Sequence, residues 1–168
     1  MLFRSFEGPP PEKAKMPFVL GRFHEDQSRE FAILLCATYE GTLDCPELND
    51  VRTPDETLAS LRGNSRNELP FWFWAEIEGG EPIGVLMLNP AESPRNWELT
   101  YLGLVTPHRH KGYGKALLTV ALATAHRGGA AGMILTTDAR NLPALRLYEA
   151  GGFRACGSYD VFLNLFNG

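Results

Sequence analysis

The residues best able to do chemistry stand together at Arg109-His110-Lys111-Gly112-Tyr113-Gly114-Lys115. From His108 to Lys115 there are three permanent cations, two histidines and no acid, although the whole chain carries a formal charge of −4. A basic island in an acidic protein suits an anion. The first N–H groups of a helix lack internal partners and sit at the positive end of its dipole. Glycines let an anion approach those groups, and Arg109, Lys111 and Lys115 add charge at the same place. The alternative is a solvated loop, and the spacing bears on which holds. A Walker loop fails, because its first glycine would fall at Arg109 and its hydroxyl at Ala116. A dinucleotide fingerprint fails, because Leu117 stands at its third glycine. The pattern Arg/Gln-x-x-Gly-x-Gly/Ala fits through Arg109, Gly112 and Gly114.

Such a loop needs a strand before it and a helix after it. Trp97 to Val105 reads as a long strand ended by Thr106-Pro107. Lys111 to Arg127 has an apolar stripe at helical spacing through Gly114, Leu117, Leu118, Ala121, Leu122 and Ala125, and Gly128-Gly129 ends it. Met133 to Thr137 reads as a short buried strand. Asn141 can cap a helix with Pro143 in its first turn, closed by Gly151-Gly152. Upstream, Phe71 to Ile77 and Pro82 to Leu88 flank Glu78-Gly79-Gly80-Glu81, a hairpin signal. Phe18 to Gly21 reads as a first strand, and Glu30 to Tyr39 as a helix. Thr53 caps a second helix, with Pro54 at its first position and its end near Arg62. Val161-Phe162-Leu163 reads as a last strand. Met1 to Lys15, with Pro9-Pro10-Pro11, reads as flexible, so the expected organisation is a leader over 1–16 and one domain over 17–168. The order is strand, two helices, three strands, helix, strand, helix, strand. This is an α+β arrangement in which an antiparallel meander feeds a βαβ unit. A sheet that changes character at that crossover opens a cleft at its strand ends.

In this setting the chain resembles the GNAT superfamily of N-acetyltransferases. Beside the loop motif stands Asn141-x-x-Ala144-x-x-x-Tyr148-Glu149-x-x-Gly152-Phe153, which looks like the family's second signature, and the match covers roughly Trp97 to Phe153. The resemblance implies a mixed central sheet of about six to seven strands flanked by about four helices, with acetyl-CoA as co-substrate. It implies that the backbone N–H groups of His110, Lys111, Gly112, Tyr113, Gly114 and Lys115 bind the pyrophosphate, with Arg109 beside them. It implies that the strand edge at Leu102, Gly103 and Leu104 pairs with the pantetheine arm, exposed by the splay of two parallel strands. Asn141 matches a cofactor-contacting position and is equally a good helix cap.

Acetyl transfer to an amine requires loss of a proton from the ammonium, donors for the thioester oxygen and a proton for the leaving sulfur. Glu98 stands 14 residues before Gly112, an offset similar to that of the basic glutamate in histone-acetyltransferase-like members. Either it is the base, or it starts the strand and points into water. A backbone N–H near Leu102 would serve the oxygen. Tyr148 matches the family's general acid; the alternative is a core tyrosine sharing a helical face with Ala144, Leu147 and Gly151. One departure stands out. Ribosomal-protein acetyltransferases keep an acid on the strand before Asn141, and here Thr136 occupies that place, which argues against a ribosomal substrate. Phe71-Trp72-Phe73-Trp74 either lines an acceptor pocket or packs the core, with core packing favoured. The acids from Glu40 to Glu56 either attract a cationic amine or form a solvated face.

The whole chain sets the outer bounds. Its 168 residues suffice for one domain, and 44% apolar with 21% charged residues is a soluble globular balance. No apolar run is long enough for a bilayer span, and the N-terminal residues lack a secretory core, so a cytoplasmic protein is expected. The absence of a basic excess disfavours nucleic acid. Cys36, Cys45 and Cys156 are scattered and the four histidines supply no ligand spacing, so reduced thiols and no metal are expected. The expected partner is a small-molecule or peptide amine, with no membrane and no nucleic acid, on a monomer or homodimer. Two classes of function remain: an N-acetyltransferase acting by direct transfer, and a catalytically silent acyl-CoA sensor of the same fold. Tyr148 and Glu98 favour the enzyme, because a sensor needs neither.

Overall fold

A computed structural model of the chain describes residues 1–8, 16–49, 51–63, 71–91 and 95–161. Its strands are β1 (Leu2–Glu7), β2 (Val19–Arg22), β3 (Phe71–Glu76), β4 (Pro82–Pro90), β5 (Asn96–Leu104), β6 (Gly132–Thr137) and β7 (Arg154–Ser158). They form one seven-stranded sheet in the order β2-β3-β4-β5-β6-β1-β7. β5 and β6 run parallel, as the crossover requires, and the other neighbours are antiparallel. The α-helices among the described residues are α1 (Ser28–Ala37), α2 (Pro54–Gly63), α3 (Tyr113–Arg127) and α4 (Leu142–Ala150).

Alternation along the strands divides the apolar residues between two cores. On one face Trp72, Val85 and Met87 pack with Phe31 and Leu35 of α1 and Leu58 of α2. On the other, Leu86, Leu88, Leu99 and Met133 pack with Leu117, Leu118, Ala121 and Leu122 of α3 and Tyr148 of α4. The aromatic run of β3 is split in the same way: Trp72 and Trp74 join the α1 side, and Phe71 and Phe73 pack against the α3 side. Core packing accounts for Trp72, whereas Phe71 and Phe73 also border a hollow of about 740 Å³ beside α3.

β5 carries the feature that shapes the site. Met87 faces Tyr101 and Leu88 faces Leu99, which leaves Thr100 unopposed. This bulge reverses the alternation. Before it, Trp97 and Leu99 face α3; after it, Leu102 and Leu104 do, and Tyr101 turns toward α1. A bulge bends its strand and sharpens the local twist. The pairing of β5 with β6 covers only Asn96 to Glu98 against Gly132 to Ile134. Past Glu98 the two strands separate.

Two sequence expectations are corrected. Leu2–Glu7 is not a flexible leader but β1, paired with both β6 and β7. Phe6 packs on Phe153 with ring centroids 5.6 Å apart, and Arg4 is buried with its Nη2 donating to Glu149 Oε1 at 3.0 Å. The charged side chains of Arg4 and Glu7 break the apolar alternation and conceal the strand. Residues 9–15 lie outside the described residues. The last strand among the described residues is Arg154–Ser158, which the sequence did not mark; it is an edge strand of exposed residues, without the alternation that marks a strand. Val161 is exposed and belongs to no strand, while Phe162 and Leu163 lie outside the described residues.

Leu117 is fully buried where α3 meets the sheet. Leu117→Ala should cost about 2–5 kcal/mol of stability, measured by urea unfolding.

Candidate functional site

Where β5 and β6 part, a cleft of about 410 Å³ opens. Leu102, Gly103 and Leu104 form one wall, Gly112 and Lys115 the floor, and Asn141 and Leu147 the wall from α4. The floor is the loop singled out in the sequence. A short 3₁₀ turn, Thr106–His108, leads into it from β5. His108 anchors that turn: it is buried, its Nε2 lies 3.0 Å from Glu81 Oε1, and its ring packs on Tyr113. His110 at φ 60° and Gly112 at φ 84° occupy the left-handed region just before α3. Interleaving such residues with right-handed or extended ones turns successive N–H groups into one concavity, which suits an anion. A Cβ on Gly112 would meet nothing within 4 Å, so the space beside it is open and glycine serves the backbone conformation. Lys115 lines the cleft and Lys111 is exposed beside it, so the concavity and its charges suit an anion.

Arg109 is placed differently from the expectation. Arg109 lines the cleft, but its guanidinium is engaged by backbone carbonyls. Nε donates to Leu104 O at 3.0 Å, Nη1 to Gly41 O at 3.3 Å, and Nη2 to Thr38 O at 3.0 Å and Glu40 O at 2.7 Å. A planar fork with fixed donors suits this set of carbonyls. Arg109 thus ties the end of β5 and the cofactor loop to the C-terminal end of α1, where helix carbonyls have no internal partners.

Gly103 is a matter of close approach. A Cβ there would fall 2.6 Å from Tyr101 Oη and 2.7 Å from Thr38 Oγ1. Those two hydroxyls lie 2.7 Å apart and link β5 to α1. Asn141 serves as a cap, its Oδ1 accepting from Ala144 N at 3.2 Å, and it also lines the cleft.

The two proposed catalytic groups lie behind the cleft walls. Tyr148 is 7% exposed, packs on Phe153 and belongs to the main core. Burial pushes its phenol far above the ordinary range, and the charge of Asp44 adds to the rise. Glu98 is opposite Ile134, where β5 and β6 are still paired, and lines neither cavity described here. Desolvation alone raises its carboxyl. The sheet opens only beyond it, which is why an offset in sequence did not bring it to the cleft.

A second cavity of about 630 Å³ lies between α1, the turn that follows it and α2, with Tyr39, Glu40, Leu48, Asn49 and Arg52 among its lining residues. Burial pushes the Tyr39 phenol up to about 12. The cavity meets the first at Gly41, Asp44 and Tyr101. Asp44 Oδ1 accepts from Asp138 N at 2.6 Å and from Thr137 Oγ1 at 3.4 Å, joining the turn to the end of β6. Arg140 extends this clasp, with Nη2 2.6 Å from Asp138 Oδ2 and Nη1 2.5 Å from Glu47 Oε1. Its hydrogen bonds hold both carboxyls below their usual range. Sequence reasoning marked the acidic stretch but missed Asp44, Thr38 and Tyr101, whose roles come from contacts distant in the chain. Among the described residues there is no group of three His, Cys, Asp or Glu placed for a metal, and no helix long and apolar enough to cross a membrane.

Fold and cleft together define an acyl-CoA-type transferase architecture, and comparison with known proteins names the family. The model of the acetyltransferase (GNAT) family matches residues 22–153, and the chain belongs to that family. N-acetyltransferase family 8 member 3 of Rattus norvegicus is 29% identical over 91 residues, which are 52% of this chain and 40% of the relative. The matched stretch thus takes in about two fifths of the curated relatives' length. Among solved structures, a GNAT acetyltransferase from Staphylococcus aureus superposes with a TM-score of 0.66 at 19% identity, covering 89% of this chain and 94% of that one. An acetyltransferase from Salmonella typhimurium, solved with its cofactor acetyl-CoA, gives 0.61 at 18% identity, covering 80% and 78%.

Arg109→Ala should act through architecture. Four carbonyls lose the guanidinium as a donor, Glu40 O keeping only the Thr106 hydroxyl at 3.3 Å, so stability should fall by about 2–4 kcal/mol, measured by urea unfolding. Cofactor affinity should fall with it, and that loss should persist at high salt, where a direct surface charge contact would fade.

Proposed function

We propose that the protein transfers an acetyl group from acetyl-CoA directly to a primary amine of a small molecule or peptide. One observation carries this reading: the opening between β5 and β6 ends on the concave loop His110 to Lys115 at the start of α3. The family membership supports it, as do a relative named as an N-acetyltransferase and a structural neighbour that holds acetyl-CoA. A sensor would need the cofactor cleft alone, and the adjoining second cavity favours an enzyme with an acceptor. The proposal includes a cytoplasmic setting, no metal, and a monomer or homodimer whose catalytic unit is one domain.

In this mechanism the N–H groups from His110 to Lys115 hold the pyrophosphate, and Lys111 and Lys115 add charge. The free edge of β5 at Leu102, Gly103 and Leu104 orients the pantetheine arm as a neighbouring strand would. A main-chain N–H near Leu102 donates to the thioester oxygen as it gains charge. Tyr148 is the proposed source of the proton for the departing sulfur; because it lies behind the α4 wall, that proton would pass through intervening water or a small shift of the wall. The raised pKa of Tyr148 keeps the phenol fully protonated at neutral pH, which is the form an acid needs. Glu98, from its place behind the separation point, would reach the amine proton only through intervening water.

Gly112→Glu would set a side chain and a negative charge in the cradle, on a backbone conformation that disfavours any L side chain. Calorimetry should show loss of most acetyl-CoA affinity in a protein with a native circular dichroism spectrum; unchanged affinity would remove the assignment of this loop. Tyr148→Phe should lower kcat for thiol release by about 10²–10⁴ with cofactor affinity retained. An undiminished rate would leave Tyr148 as a packing residue.

A further inference from the structure

We propose that Asp44, in the turn after α1, is the group that receives the proton of the incoming ammonium. The proposal rests on the acetyl-transfer reading and adds to it the base.

Position is the first argument. Among the described residues, the cofactor cleft and the second cavity share Gly41, Asp44 and Tyr101. Gly41 has no side chain. The Tyr101 hydroxyl is bonded to Thr38, and burial holds it neutral. Asp44 is therefore the one carboxylate at the junction where an acceptor nitrogen from one cavity would meet a thioester carbon from the other.

The second argument is how the carboxylate is held. Oδ1 is fixed by the Asp138 N–H and the Thr137 hydroxyl. No donor meets Oδ2 among the described residues. The backbone on either side is clasped as well, because Cys45 N donates to Asp138 Oδ2 at 3.3 Å and Glu47 is paired with Arg140. One oxygen is thus held and the other left for a ligand. A preorganised acceptor of this kind is what proton transfer in a partly dry site requires.

Electrostatics agree. The charged and titratable groups facing Asp44 are Asp138, the Met1 ammonium, Tyr39, Cys45, Tyr101 and Tyr148. Asp138 is already matched by Arg140, and the Met1 ammonium is the smallest of the influences on Asp44, so Asp44 carries a negative charge with no direct ion-pair partner among the described residues. It attracts an ammonium. Burial raises its carboxyl above the ordinary aspartate range, which makes it a better base than a surface aspartate.

The step balances. The carboxylate takes one proton from the ammonium, and the freed lone pair forms the N–C bond at the thioester carbon as the C–S bond breaks. Sulfur leaves with its electron pair and takes a proton from Tyr148, which regains one from the nitrogen. Asp44 then releases its proton to solvent. The products are an amide, a thiol and one proton.

Asp44→Asn keeps an Oδ1 acceptor for the Asp138 N–H and removes the basicity. Thiol release from acetyl-CoA would be followed with an alkylamine and with a weakly basic arylamine, which is already neutral at pH 7 and needs no base. For the alkylamine, kcat/KM should fall by about 10²–10⁴; for the arylamine it should stay near the wild-type value, and calorimetry should show unchanged acetyl-CoA affinity. Equal losses with both amines, no loss with either, or a base-type loss in Glu98→Gln instead, would overturn the proposal. If melting shows Asp44→Asn to be unfolded, the wild type carries the test through alkylamines of graded basicity. An acid limb of kcat/KM with a fixed midpoint supports an enzyme carboxylate, and a midpoint that follows the amine overturns it. A wild type that binds acetyl-CoA but releases no thiol with any amine removes the acetyl-transfer reading itself, whereas a wild type that turns over alongside an unimpaired Asp44→Asn removes the Asp44 proposal alone.

Discussion

The hydrogen bonding that β5 and β6 give up after Glu98 and Ile134 governs everything functional in this molecule. In a closed parallel sheet the N–H and C=O groups of both strands would be spent on each other. Here the bulge at Thr100 bends β5, and past Glu98 its outer half has no neighbouring strand on that side among the described residues, with Leu104 O accepting from Arg109 Nε. An edge of this kind is a template for an extended ligand. The same bulge turns Tyr101 from the α3 core to the α1 side, where its hydroxyl meets Thr38. One irregularity therefore opens the cleft and ties its wall to the first helix.

Arg109 completes that tie. A guanidinium shared among Leu104, Thr38, Glu40 and Gly41 joins the strand end, the anion loop and the tail of α1 in one unit. The clasp of Asp44, Asp138, Arg140 and Glu47 does the same on the opposite bank, between the turn after α1 and the end of β6. The opening in the sheet is thus braced on both sides by polar contacts between segments far apart in sequence. Neither brace is a surface ion pair of the weak kind. The first is a fork of donors to backbone carbonyls, and the second is a network with a buried carboxylate at its centre.

The sequence was most legible where periodicity was strong. The stripe of α3, the hairpin of β3 and β4, and the capped starts of α2 and α4 all declare themselves, because burial on one face imposes a period that a reader can count. It was least legible at the two ends. β1 carries a buried arginine inside its pattern, and β7 is an edge strand with no buried residue. At the site, glycine spacing marked the loop, since positive φ and open space are demands on a single position. The acidic turn was visible only as composition. That Asp44 and not its neighbours reaches the junction depends on Asp138, which lies 94 residues away. Arg109 shows the limit from the other direction. Its type and place suit a phosphate, yet nothing local reveals that four carbonyls compete for it.

The two cavities are made of different materials, and this bears on how the chain can change over generations. The cofactor side is built largely from main chain: an unpaired strand edge, a run of N–H groups, and Gly103 and Gly112, where a methyl group would collide or strain. Substitution there has little room. The second cavity, the proposed acceptor side, is built from side chains on a turn and two helix ends, among them Leu48, Asn49 and Arg52. Those positions can be exchanged without moving the strand edge or the loop. On the proposed reading, a change of acceptor preference would leave in place the strand edge and the loop that hold the acyl carrier.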